Sequence, residues 1–365
     1  MEWLMQAVSD AKKVRENYLR TVEFRNPDWI PVSVGVLQAA WHKYREKLED
    51  VFDRHKLALP YFRKGTICYD CFGVRRKGTM LVDEWGCIWH YEVDGLAGQV
   101  LKNPLKDWSN FDELKPPDPD IGMPVSEGDV MVKWDLVEEN LRKLRQEGAL
   151  VIGGLPHGFM FMRLHYLRGF INLMRDIATD EPKLQKLIDM VTQYNLELVR
   201  RILRIGVDAV SFGDDLGLQD RMPISEKQFR KYIFPSYAAI FGEVRKAGAH
   251  VHLHSDGHVM EVVDDIVESG VTALNIQDRV NGVENIARAC KGKVTINLDI
   301  DRQWLLPFGG PEDIRRTVAG EMRTLASRKG GFMVQPEINV DVPLENVEAV
   351  LQTIEENMTI HKSLD

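Results

Sequence analysis

The sequence predicts an α/β protein, a (β/α)8 TIM barrel with an N-terminal helical extension and an inserted β-hairpin flap. Three observations predict it. From about Gly148 onward, short apolar runs alternate with amphipathic helical stretches, which is the pattern of a parallel sheet. The runs at 149–153, 208–212, 250–254, 272–276, 294–298 and 332–335, with 30–34 and 65–69 before them, number eight, the count of a closed barrel. The residues that follow the runs are polar, as they are at the mouth of such a barrel. An open doubly wound sheet is the alternative, but no Gly-x-Gly-x-x-Gly phosphate loop follows any run.

The elements follow in order. The first residues read as helical. The pattern predicts helices at 181–205, 225–247, 259–268, 311–328 and 343–356. Residues 79–93 read as a hairpin, and Pro104, Pro116, Pro117 and Pro119 then mark an irregular connection. We read 77–120 as a flap inserted over the barrel mouth, so that 1–365 forms a single domain. There is no internal repeat and no low-complexity tract.

Composition narrows the function classes. A hydrophobic content of 44% suffices for one large core, and a net charge of -8 argues against nucleic acid or an anionic membrane as partner. No apolar stretch is long enough to span a bilayer, and the first residues do not read as a signal peptide. The 4 cysteines are too few for a disulfide framework, which suits a cytoplasmic protein. Cys68-Tyr-Asp-Cys71 has redox or zinc spacing but no second pair beside it, and is read as structural.

The segment Ala249-His-Val-His-Leu-His-Ser-Asp-Gly257 carries the densest chemistry. On a strand His250, His252 and His254 share one face, and the strand ends at a turn signal. His250 and His252 read as core residues, whereas His254, at the strand end before Asp256, reads as functional. Other strand ends offer His157, the pair Asp214 and Asp215, Gln277 with Asp278, Asn297 with Asp299, and Gln335 with Glu337. Imidazoles and carboxylates meeting at one point suit a divalent metal with a position left open. The same groups suit metal-free acid–base chemistry. Trp85, Trp89 and Tyr91 read as flap packing, with substrate contact as the second reading.

At this point the chain resembles the uroporphyrinogen decarboxylase superfamily, whose members share a (β/α)8 barrel. The segments that carry the resemblance are Phe24-Arg-Asn-Pro-Asp-Trp-Ile-Pro-Val32, His254-Ser-Asp-Gly257, Val294-Thr-Ile-Asn-Leu-Asp-Ile300 and the tail from Gly330 to Val347, and together they span nearly the whole chain. True decarboxylases of the superfamily place arginines just after the first strand to meet substrate carboxylates. Here that place reads Gly35-Val-Leu-Gln-Ala-Ala-Trp41, without arginine. The corrinoid-dependent methyltransferases place zinc at the mouth with a His-x-Cys pair and a distant cysteine. The matching positions here are His254 and Asp256, with Gln335 and Glu337 near the last strand.

The resemblance therefore implies an O-demethylase-type methyltransferase, which moves a methyl group from a small O-methyl or N-methyl substrate to a corrinoid carried by a partner protein. The expected zinc ligands are His254, Asp256 and Glu337. The expected catalytic groups are Asp215, His157 and Asp256. Asp214, Trp85, Trp89, Gln335 and Asn297 are expected to bind substrate. A homodimer is compatible with the sequence. The alternative is a cofactor-free decarboxylase acting on a porphyrinogen-like or other carboxylated substrate.

Overall fold

The computed structural model describes residues 2–124 and 131–364. In chain order its strands are β1 (Gly35–Val36), β2 (Met80–Val82), β3 (Ile88–His90), β4 (Gln99–Lys102), β5 (Ile152–Gly154), β6 (Ala209–Gly213), β7 (His250–Ser255), β8 (Ala273–Gln277), β9 (Thr295–Asp299), β10 (Phe332–Gln335) and β11 (Glu337–Ile338). The helices that matter below are α1 (Gln38–Tyr44), α2 (Glu46–Arg54), α3 (Phe161–Arg168), α4 (Pro182–Ile205), α5 (Glu226–Tyr232), α6 (Phe234–Lys246), α7 (Pro311–Leu325) and α8 (Leu344–Asn357). The fold class is the expected one, parallel strands alternating with helices.

Two compact units make up the chain. One comprises residues 1–72, 146–150 and 273–365; the other comprises 73–145 and 151–272. In the first unit β8, β9 and β10 pair in parallel, Asn275 with Asn297 and Asn297 with Met333. β1 pairs with β11, and Val32 bridges to Val334. Every residue of β8 and β9 is buried, as expected of parallel strands covered on both faces.

In the second unit β5, β6 and β7 are parallel, with Ile152 opposite Ala209 and Ala209 opposite His250. Its core holds an aromatic cluster. The Phe159 ring stacks on Tyr237 at 5.4 Å, and Phe212 meets Phe241 at 4.9 Å. Each of these rings removes a large apolar area from water.

Local chemistry explains the helix limits. Pro182 opens α4, and Gly206, at φ 85°, closes it in the left-handed conformation that only glycine adopts cheaply. Ser225 and Gln228 form a capping box at the start of α5. The single helix expected over 225–247 is two, α5 and α6. Pro235 lacks the amide hydrogen needed to continue the ladder, so the helix restarts at Phe234.

Two strand expectations change. The run at 30–34 forms only the bridge at Val32, and the regular strand begins later, at Gly35. The run at 65–69 forms no strand. Gly65 takes a positive φ of 80°, its N–H donates to Glu49 at 2.9 Å, and a disulfide between Cys68 and Cys71 closes a tight ring. Among the described residues the parallel strands are β1, β5 to β10 and the short β11 that pairs with β1, and none of them comes from 65–69.

The flap exceeds a hairpin. Met80 pairs with His90, and β4 adds a third antiparallel strand by pairing His90 with Gln99. Among the described residues, no helix is long and apolar enough to cross a membrane.

Candidate functional site

The site is built where three neighbouring strands of the second unit end. β5 is followed by Leu155-Pro-His157, β6 by Asp214 and Asp215, and β7 carries His254 with Asp256 just beyond it. Two glycines shape the first loop. Gly158 takes a φ of 75°, which turns the chain sharply after His157, and its N–H donates to Gly213 O at 2.7 Å. Gly213 has no side chain because His157 occupies the space. A Cβ there would lie 2.5 Å from His157 Cδ2.

The two adjacent aspartates face different surroundings. Asp214 is fully buried. Its carboxylate accepts from the N–H groups of Phe161 (2.6 Å) and Met162 (2.8 Å), the first residues of α3, and from the Tyr237 hydroxyl at 2.9 Å. A carboxylate at a helix N-terminus meets unsatisfied donors and the favourable end of the dipole. Burial nevertheless pushes its carboxyl up to about 6, with the backbone donors pulling the other way. Asp214, expected at the substrate, thus anchors the loop and helix that follow His157.

Asp215 points the other way. Its Oδ1 lies 3.1 Å from His157 Nε2 and 3.6 Å from His254 Nε2, and accepts from the Asp256 N–H at 3.1 Å. Burial alone would raise this carboxyl. The hydrogen bond from His157 and the charges of His157 and His254 outweigh it and hold the group at about 2. His254 Nε2 is also 3.2 Å from Asp256 Oδ1.

One donor atom each from His157, Asp215 and His254 lies within 4.8 Å of the others. The side chains are about one-quarter to one-third exposed, so they are reachable. Two imidazole nitrogens and a carboxylate oxygen, with Asp256 at hand, form a donor set suited to zinc with an open coordination position.

His157 and Asp215 also line a cavity of about 560 Å³. Trp89, Met162, His165, Tyr166 and Phe170 supply most of its ring and thioether surface, and Asn103 and Gln99 add amide groups. Among the described residues, no lysine or arginine lines it. Burial lowers the His165 imidazole below its ordinary value, which favours the neutral ring.

The flap is anchored beneath this cavity by a buried ion pair. Asp83 accepts from Arg163 NH1 at 2.8 Å, from Trp89 Nε1 at 2.9 Å and from the Cys87 N–H at 2.8 Å. Trp89 then meets Tyr166 edge to face at 4.8 Å.

The remaining expected residues make other contacts. Trp85 is buried against Tyr194, at 5.2 Å, and does not line the cavity. In the first unit, Asn297 donates to Gln335 Oε1 at 2.9 Å, and Gln335 Nε2 donates to Asn275 Oδ1 at 3.4 Å. Glu337, expected as a zinc ligand, pairs with Arg302 at 2.5 Å.

Sequence reasoning read His157 and Asp215 as proton-transfer groups rather than ligands. It missed Met162, His165, Tyr166 and Phe170 altogether. Their signal was present, because 161–170 mixes rings, imidazole and arginine without a clean polar face.

Comparison with known proteins agrees with this architecture. A solved methyltransferase from Methanosarcina mazei is similar over 94% of this chain and 98% of its own, with a TM-score of 0.63 and 15% sequence identity. At that identity the likeness is one of fold. A D-psicose 3-epimerase covers 64% of this chain and 83% of its own at 8% identity, with a TM-score of 0.37, and no argument rests on it. No curated protein matches the sequence. The family model described as uroporphyrinogen decarboxylase (URO-D) matches residues 79–357, most of the chain and all of the site just described, and the chain belongs to that family.

Proposed function

We propose that this protein is a methyltransferase that takes a methyl group from a small O-methyl or N-methyl substrate and passes it to a reduced corrinoid carried by a partner protein. One observation carries the reading. His157 and Asp215, grouped with His254, line a cavity of about 560 Å³ with an aromatic wall and, among the described residues, no lysine or arginine. A porphyrinogen with many carboxylates needs lysine or arginine partners. A small methylated compound needs an apolar wall and one activating group. The fold shared with a methyltransferase supports the same reading.

We assign zinc to His157, Asp215 and His254, with Asp256 as a further oxygen donor or as the group that orients His254. Bound there, zinc would act as a Lewis acid toward the leaving oxygen or nitrogen. The chain's own residues do the rest. Trp89, Tyr166 and Phe170 hold the apolar part of the substrate and exclude water. Asp214 fixes the loop that presents His157. Asn103 and Gln99 offer hydrogen bonds that orient a polar substituent.

The test is to mix the protein with cob(I)alamin and a panel of methyl ethers and methylamines, and to follow the methylcobalamin spectrum. Methylation with at least one donor, lost in His254→Ala, is the expected result. No methylation across the panel, together with carbon dioxide release from a porphyrinogen, would overturn it.

A further inference from the structure

The ring that replaces the expected strand at 65–69 has a chemistry of its own. Cys68 and Cys71 are joined by a disulfide, with Cα atoms 5.5 Å apart, and both residues are exposed. Cys87 and Cys290 are buried and outside the disulfide. The loop is held from outside the ring. Gln38 Nε2, on α1, donates to the carbonyls of Cys68 (2.8 Å) and Tyr69 (2.9 Å). Asp70, between the two cysteines, accepts from Arg45 NH1 and NH2, each at 3.1 Å, and lies 2.8 Å from His42 Nδ1. Arg45 joins α1 to α2 with a positive φ of 50°, and its guanidinium also covers the Tyr69 ring at 4.9 Å.

None of these contacts uses a sulfur atom, so the loop keeps its seat when the S–S bond opens. A disulfide that closes so short a ring constrains little of the unfolded chain, so its structural contribution is small. Exposed disulfides are open to thiolate attack and are typically the labile or regulatory ones.

We propose that Cys68 and Cys71 form a reversible two-electron thiol–disulfide site whose reductant is a dithiol. A thiolate of the reductant attacks one sulfur of the pair. The Cys68–Cys71 bond breaks and a mixed disulfide forms. The second thiol of the reductant then displaces the remaining cysteine. The reductant leaves as its own disulfide, and its two protons finish on Cys68 and Cys71. A monothiol performs the first step only. The clamps from Gln38 and Arg45 keep the released cysteine beside its partner, so it attacks the mixed disulfide and the ring recloses.

The experiment uses the full-length native protein, incubated without oxygen with dithiothreitol or with glutathione at equal thiol concentration. Iodoacetamide is then added without denaturant, and intact mass and peptide mapping are read. We expect two labels, on Cys68 and Cys71, after dithiothreitol, and labelling about tenfold slower with glutathione. Oxidised dithiothreitol in excess should restore the unlabelled form. The Cys68→Ser/Cys71→Ser protein should take no label, and its melting temperature should lie within about 2 °C of the wild type.

Labelling before any reductant would overturn the disulfide, and labelling only in urea would overturn its accessibility. Equal rates with the two reductants would overturn the dithiol requirement. Loss of the folded melting transition on reduction would make the bond structural, and would overturn the reversible site.

Discussion

The Nε2 atoms of His157 and His254, which come from the ends of different strands, reach the same oxygen of Asp215, at 3.1 and 3.6 Å. Two neutral imidazoles and a carboxylate make a ligand set. Two protonated ones would make a repulsive pair. The carboxyl held at about 2 keeps its charge throughout the physiological range, so occupancy depends on the imidazoles.

Asp215→Asn and His157→Ala should therefore each weaken zinc binding, by at least about tenfold on the scale seen for perturbed metal sites. The purified wild type should carry about one zinc per chain. Elemental analysis and titration with a zinc indicator check this. Because the three side chains are partly exposed, the melting temperature of metal-free protein should hardly change. Full zinc affinity in both variants would sink the assignment.

Gly213→Ala tests the same site without touching a ligand. The new methyl would sit 2.5 Å from His157 Cδ2, far inside contact distance. The imidazole must swing away, since the backbone of β6 is held on both sides. Zinc affinity should fall at least about tenfold, with the fold retained. Unchanged affinity would mean that His157 is not a ligand.

Arg163→Met leaves Asp83 buried without its cation. Both side chains are at most 5% exposed. Breaking a buried pair by removing one partner costs about 3–5 kcal/mol. Urea denaturation should show a loss of that order, and Trp89, whose indole N–H shares the Asp83 acceptor, should report it by a shift in fluorescence.

His55 makes stability depend on pH. Its ring is buried between Glu355, at 2.9 Å from Nδ1, and Glu348, at 3.2 Å from Nε2, tying the end of α2 to α8. Burial lowers its affinity for the proton, but the hydrogen bond and charge of Glu355, with those of Glu348, outweigh it and raise the value above 6.5. The folded state thus binds this proton more tightly than the unfolded chain does. The resulting stability is complete below pH 6.5 and is lost as pH rises through the raised value. His55→Gln should be less stable than wild type at pH 6, and the gap should narrow at pH 8. An equal gap at both values would contradict the linkage.

Much of this was legible in the residues themselves. Alternating apolar runs and helical stretches determine a parallel α/β fold, because period 2 and period 3.6 leave different marks. The alternation from His250 to His254 determined that His254 lies near the end of a strand on the face of His252, and β7 runs from His250 to Ser255. Local chemistry was less decisive where a run was short. Residues 65–69 read as a short strand-like run, yet Cys68 and Cys71 close a ring that no strand can contain. Pro235 signals the break between α5 and α6, and the longer helical period around it concealed that break.

Which polar residues meet was decided only in three dimensions. Asp214 and Asp215 are neighbours in sequence, with the same side chain. Successive side chains after a strand point apart, so one is buried under α3 and the other joins His157 and His254. Glu337 looked as well placed as Asp215, but Arg302 pairs with it. Such choices depend on contacts between residues tens of positions apart. They rest on packing and on charge pairs formed across the fold, and no local pattern encodes either.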